Sequence, residues 1–194
     1  VILGHTYPRV VAAVKKELDK GSNFTRPSPR EVELAELLHG LIPSAEMVKF
    51  GKNGSDVTSA AVRLARAHTK RDKIAYCKDH PIFSVNDWFI GTTPMSAGVP
   101  KAVSDLSIYF RYNDLESLKK LFEDNPDSIA GVIMEAATSE EPKPGFLDGV
   151  KKLCHQHGAV LIFDEMITGF RWHLKGAQTL YGVTPDLSCF GKGL

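Results

Sequence analysis

Near its carboxyl end the sequence reads Pro185-Asp186-Leu187-Ser188-Cys189-Phe190-Gly191-Lys192, a lysine set directly after a short apolar run and a glycine. Upstream, Ala159-Val160-Leu161-Ile162-Phe163 runs into Asp164 and Glu165. A lysine amine stripped of water becomes nucleophilic near neutral pH and can hold an aldehyde as a Schiff base. A carboxylate on the floor of a pocket can keep a ring nitrogen protonated. Those two demands together are the ones that pyridoxal 5′-phosphate (PLP) makes of a protein. A third segment, Gly51-Lys52-Asn53-Gly54-Ser55-Asp56, precedes a helical pattern. Its glycines allow a tight turn, and the free N–H groups of a helix start, with a Ser hydroxyl among them, suit a phosphate.

Each segment taken alone also has a plainer reading. Ser55 or Asp56 can serve merely as a helix N-cap. Asp164 can cap the turn that follows its strand, and a lysine after a glycine can simply begin a surface loop. The order of the three is what carries weight: phosphate turn, strand-end acid, then lysine suits one cofactor laid along the edge of a sheet. The glycine-rich turn is not a Walker A loop, because no Gly-Lys-Ser/Thr follows at the required spacing. His155 and His157 lie two apart on an expected helix and do not face one another, so they make no metal pair. Arg171 can meet a substrate carboxylate or form an ordinary salt bridge.

The elements that must position these groups alternate between helical and β-branched patterns, which implies an α/β fold of three layers, helices covering both faces of a mostly parallel sheet. Helices are expected over 8–20, with Val10, Val11, Val14 and Leu18 on one face; from Pro29, with Ser28 and Glu31 forming a capping box ahead of Leu34, Leu37, Leu38 and Leu41; over 55–69, with Val57, Ala60, Ala61, Leu64 and Ala65 inward; and over 115–122 and 146–157. Strands are expected over 47–50, 73–77, 107–110, 129–134, 159–163 and 187–190. The stretches 78–106 and 165–186 show no period, and loops of that length tend to carry function.

Composition narrows the classes. Lys plus Arg number 24 against 23 acids, a net charge of +1, so no basic footprint points to nucleic acid or an anionic membrane. No apolar run reaches the length of a membrane span, and no signal peptide opens the chain. Cys77, Cys154 and Cys189 are an odd count without a repeated spacing, which suits reduced thiols in a cytoplasmic protein. The chain opens on Val1 inside an ongoing segment and stops almost at Lys192, so both ends read as cut.

The ordered set of motifs resembles the class III aminotransferases, PLP enzymes of fold type I, and is most similar to their glutamate-1-semialdehyde aminomutase branch. The resemblance runs from Gly4-His5-Thr6-Tyr7-Pro8 through Val48 to Asp56, Ser59 to Arg66, Glu135, Gly145-Phe146-Leu147 and Asp164 to Arg171, ending at Lys192. It implies that Lys192 is the Schiff-base lysine and proton carrier, that Asp164 lies under the pyridine nitrogen, and that Gly54 and Ser55, beside Asn53, bind phosphate. It places Glu135 near the active site. Many class III members carry Gln where this chain has Ile167; an apolar residue there points to the aminomutase branch. The family stacks an aromatic ring on its cofactor. Counting from Cys77 puts His80 in that place, and counting back from Asp87-Trp88 favours Phe83. The resemblance further implies a homodimer, small amino and keto substrates, and a division into an N-terminal helix and connector (1–35) and a partial PLP-binding large domain (36–194), with a small domain beyond. Intermolecular amino transfer is the leading expectation, and a 1,2-amino shift is the closest rival. A phosphate-binding module without covalent chemistry, or an inactive fragment, are the alternatives from other classes.

Overall fold

The computed structural model describes residues 2–80 and 83–194; Pro81 and Ile82 of the stacking-loop segment lie outside the described residues. Its strands are β1 (Lys73–Cys77), β2 (Ser107–Phe110), β3 (Ile129–Met134), β4 (Val160–Asp164) and β5 (Leu187–Cys189). They form one sheet in the order β2-β1-β3-β4-β5, and every pairing is parallel. Central β3 is buried at all positions, as a strand covered on both faces must be.

The helices are α1 (Pro8–Leu18), α2 (Pro29–Leu41), α3 (Gly54–Thr69), α4 (Asp87–Ile90), α5 (Lys101–Ser104), α6 (Leu115–Asp124), α7 (Phe146–Gln156) and α8 (Ala177–Leu180). On one face of the sheet, Val62 and Ala65 of α3 pack with Ile74, Ala130, Ile133 and Ile162. On the other, Leu118 and Phe122 of α6 and Val150 and Cys154 of α7 pack with Ala75, Val132, Met134 and Leu161. The expected three-layer architecture is therefore present. Gly131 lets α3 approach, since a Cβ there would meet the Ala65 methyl at 3.3 Å and the Val160 carbonyl at 2.9 Å. None of the described helices is long and apolar enough to cross a membrane.

Two expectations depart from the structure in instructive ways. Residues 47–50 form no strand and pair with none among the described residues; Val48 and Phe50 turn inward against a groove while Met47 is exposed. A short apolar segment makes a strand only where a partner edge lies beside it. In α3 Ala65 is buried and Val57 and Ala61 pack against the core as expected, but Ala60 and Leu64 face outward and Thr58 and Val62 are the other buried residues. Small residues on several faces blurred the stripe, and Thr58 is tolerated inside because its hydroxyl donates to the carbonyls of Gly54 and Phe83. Helix α1 forms with its expected apolar face, and that face is not covered here: Val10, Val14 and Leu18 are exposed. The capping box is present as expected, with Ser28 accepting from the Glu31 N–H and Glu31 accepting from the Ser28 N–H.

Candidate active site

In an open parallel sheet, ligands bind beyond the carboxyl ends of the strands. Glu135 follows β3, Asp164 ends β4, and Lys192 lies just past β5, so the three reach one edge. The start of α3 faces the same edge. Asn53 caps that helix, its Oδ1 accepting from the Asp56 N–H at 3.0 Å. The cap is thus Asn53, neither Ser55 nor Asp56. Among the described residues the N–H groups of Gly54 and Ser55 find no acceptor, and they lie at the positive end of the helix dipole. Ser55 Oγ accepts from the Val85 N–H at 3.1 Å, which leaves its own proton to donate.

The segment after β1 is sewn to the first turns of α3. Thr58 donates to the Phe83 carbonyl at 2.9 Å, Asn86 Nδ2 donates to Ser59 Oγ at 2.7 Å, and the Trp88 indole donates to the same oxygen at 2.8 Å. This fixes Phe83, 4% exposed and edge-on to Phe89, at the cavity wall. Gly54, Ser55, Phe83, Glu135, Asp164, Ile167 and Lys192, with Asn53, line one cavity of about 520 Å³. Every sequence-expected site residue except His80 is brought together there. His80 sits behind the wall: its Nδ1 accepts from the Glu135 N–H at 3.0 Å, and its ring packs on Tyr112. Burial holds the His80 imidazole down at about 4, so it is neutral.

The adjacent acids divide their work. Asp164 Oδ1 accepts from the Met166 N–H at 2.9 Å and faces the cavity. Glu165 turns away into the loop, where it accepts from the Thr168 hydroxyl, the Ala177 N–H (2.8 Å) and the Gln178 N–H (3.0 Å). Gln178 in turn donates to Ser188 Oγ on β5, and Ser188 Oγ bonds Ser44 Oγ at 2.7 Å. Glu165 thereby ties the aperiodic 165–178 stretch to the strand that carries Lys192. Burial is the chief reason that the Asp164 carboxyl rises to about 6, against the lowering pull of the Met166 N–H and Lys192. Burial, reinforced by the charge of Asp164, raises Glu135 to about 7.

Lys192 departs from expectation in being exposed. It stands on the ridge between this cavity and an apolar groove of about 480 Å³ that shares Asn53, Gly54, Gly191 and Lys192 with it. Two residues were missed from sequence: Met166 and Thr58. The Met166 sulfur fills the space a side chain would occupy at Gly54, 3.2 Å from the missing Cβ, and also abuts Gly191. Those two glycines were the available signal. His155, set aside as a metal ligand, pairs with Asp186 at 3.0 Å, while His157 stacks on Phe122; Arg171 is exposed. No group of three or more His, Cys, Asp or Glu among the described residues could hold a metal ion.

Over residues 1–194 the chain matches the family model described as aminotransferase class-III. Its fold is similar to that of an omega-transaminase from Sphaerobacter thermophilus, 32% identical with a TM-score of 0.91, covering 97% of this chain and 47% of that one. It is similar too to the FumI protein of Sphingopyxis sp. MTA144, solved in its PLP internal aldimine form: 33% identity, TM-score 0.88, 97% and 46% covered. A glutamate-1-semialdehyde-aminomutase from Pseudomonas aeruginosa PAO1 matches with a TM-score of 0.82 over 98% of this chain and 44% of that one, at 22% identity, a likeness of fold. The chain spans about half the length of the solved relatives it matches.

Proposed function

The chain belongs to the class-III aminotransferase family, and on that premise we propose that it is the larger part of the cofactor domain of a PLP-dependent enzyme that moves an amino group between an amine or amino acid and a carbonyl compound. The observation that carries this reading is that the unsatisfied N–H groups of Gly54 and Ser55, the buried Asp164 carboxyl and the Lys192 amine open into one cavity. These match three different parts of PLP: its phosphate, its ring nitrogen and its carbonyl. The fit is also electrostatic, since Asp164 is desolvated with no cation at hydrogen-bond distance among the described residues, and a protonated ring nitrogen there would supply the missing charge.

When bound, PLP supplies an aldehyde for an amine to condense with and a protonated ring that draws electrons from the neighbouring carbon. Gly54 and Ser55 hold the phosphate by N–H and O–H donation. Asp164, kept anionic by the Met166 N–H, holds the proton on the ring nitrogen. Phe83 and Ile167 present apolar surface that excludes water. Lys192 Nζ would hold the cofactor's carbonyl and, when free, would serve as the base for the proton on the carbon bearing the amino group. The exposed placement of Lys192 leaves it room for both tasks.

We infer intermolecular transfer in preference to an intramolecular shift. The likeness to a transaminase reaches 32% identity, whereas the likeness to the aminomutase speaks for fold alone. A phosphate-binding module would leave Asp164 and Lys192 idle. We also assign residues 1–35 to an N-terminal arm and 36–194 to the cofactor-binding unit; burial begins at Leu38 and Ile42. The exposed apolar face of α1 supports a homodimer, and three buried free thiols support a reducing, cytoplasmic setting. An isotope experiment tests the central assignment. With ¹⁵N-labelled amine and a keto acid, label should appear in the acceptor, and Lys192→Ala should abolish the transfer. Label that stays within one substrate molecule would instead establish the shift, and unchanged transfer by the Ala variant would sink the role of Lys192.

A further inference from the structure

The register of β3 against β4 pairs Ile133 with Ile162 and Met134 with Phe163. Ile133 and Ile162 face α3, and Met134 and Phe163 face α6 and α7. The next residue on each chain therefore returns to the α3 side. These are Glu135 and Asp164, each 3% exposed and both on the cavity wall. Two carboxyls thus stand side by side in one desolvated space, and their environments differ. Asp164 accepts a backbone N–H, which favours its charged form. Among the described residues no donor reaches the Glu135 carboxyl; its own N–H is spent on His80 Nδ1.

The other titratable groups around Glu135 do not offer it a matching charge. His80 behind it is neutral, Cys77 and Tyr112 are held in their neutral forms by burial, and Asp164 repels a second anion. Among the described residues Lys192 is the one cation that acts on it, and only as the smallest influence. Side-by-side carboxyls in such a space part company, one charged and one holding a proton.

We propose that Glu135 is a cofactor-binding residue that works as a neutral carboxyl, donating its O–H to an acceptor oxygen on the PLP ring, while Asp164 supplies the negative charge of the site. This rests on the PLP reading above and adds a second, uncharged acid to it. The sense of the pH dependence follows. Below its own titration near 7 Glu135 carries the donor proton; above it the donor is lost and a second buried anion appears.

The test uses the full chain, stripped of cofactor and titrated with PLP across pH, as wild type, E135Q and E135A, with circular dichroism as the check on folding. Glutamine keeps an N–H donor and cannot ionise. Removing the donor in E135A should weaken PLP binding by about tenfold, and E135Q should restore most of that loss at pH 6. The ratio of wild-type to E135Q dissociation constants should then grow by about tenfold towards pH 8 as Glu135 ionises. Infrared spectra of the PLP-loaded protein at pH 7 should show a neutral carboxyl stretch that E135Q lacks; this readout carries the test if E135A does not fold. Glutamine as damaging as alanine, alanine as good as wild type, or no neutral carboxyl stretch overturns the proposal alone. A wild-type protein that takes up no PLP overturns the reading beneath it, and the proposal falls with it.

Discussion

Asp164 and Glu165 are neighbours in sequence and opposites in use. Asp164 faces the cavity with a single backbone donor, whereas Glu165 gathers a hydroxyl and two backbone N–H groups around itself. Asp164→Asn should leave the protein folded but lower amino transfer by at least about a hundredfold, because an amide cannot hold a cation on the ring nitrogen; steady-state rates and PLP affinity check this. Glu165→Ala should do the reverse. It strands several buried donors and should cost on the order of 3 kcal/mol of stability, read by denaturant unfolding. That the two acids point apart follows from strand alternation and is legible in sequence. That Glu165 serves Ala177 and Gln178 is not, because it depends on how an aperiodic loop returns. The same limit hid that Phe83, and not His80, reaches the cavity wall. Counting residues from either end of the segment gives different answers, and the position of Phe83 is decided by Thr58 and Ser59 on a distant helix.

At the scale of elements, the strongest signals were those with two independent local causes. The start of α2 combined a capping serine, a proline and a reciprocal glutamate, and the structure has all three. Ser28→Ala should lower stability by about 1 kcal/mol, measured by thermal unfolding, with PLP binding unchanged. Strands β3 and β4 were legible because both faces are covered, which demands unbroken apolar runs. Residues 47–50 were read as a strand and formed none, since pairing is a property of two segments. The glycines beside the site act through packing. At Gly191 a methyl would meet the Met166 sulfur. Gly191→Ala should therefore cost about 1–3 kcal/mol and displace Lys192. Its signature is a loss of PLP affinity that the smaller Met166→Ala partner substitution partly restores.

For the whole molecule, the buried acids make the cofactor-free protein sensitive to pH. The folded Asp164 and Glu135 titrate near 6 and near 7, above the ordinary carboxylate range. The folded state therefore binds more protons than the unfolded one between about pH 4 and pH 7, and stability falls as pH rises through that window. For Asp164 alone the loss is up to about 3 kcal/mol. Melting temperatures of the PLP-free protein should decline from pH 5 to pH 8, and PLP should flatten the decline by giving Asp164 a cationic partner. The acid and the lysine were readable together because a parallel sheet sends successive strand ends to one edge, and the turn reaches that edge through the start of α3. The exposure of Lys192 was not, since an apolar run before a lysine says nothing about what lies over the following turn.

The most direct measurement is to add PLP, reduce with borohydride, and map the labelled peptide by mass. Label on Lys192, with the yellow colour lost on Lys192→Ala, is the result this account predicts. Label scattered over surface lysines, or unaltered by that substitution, would contradict it.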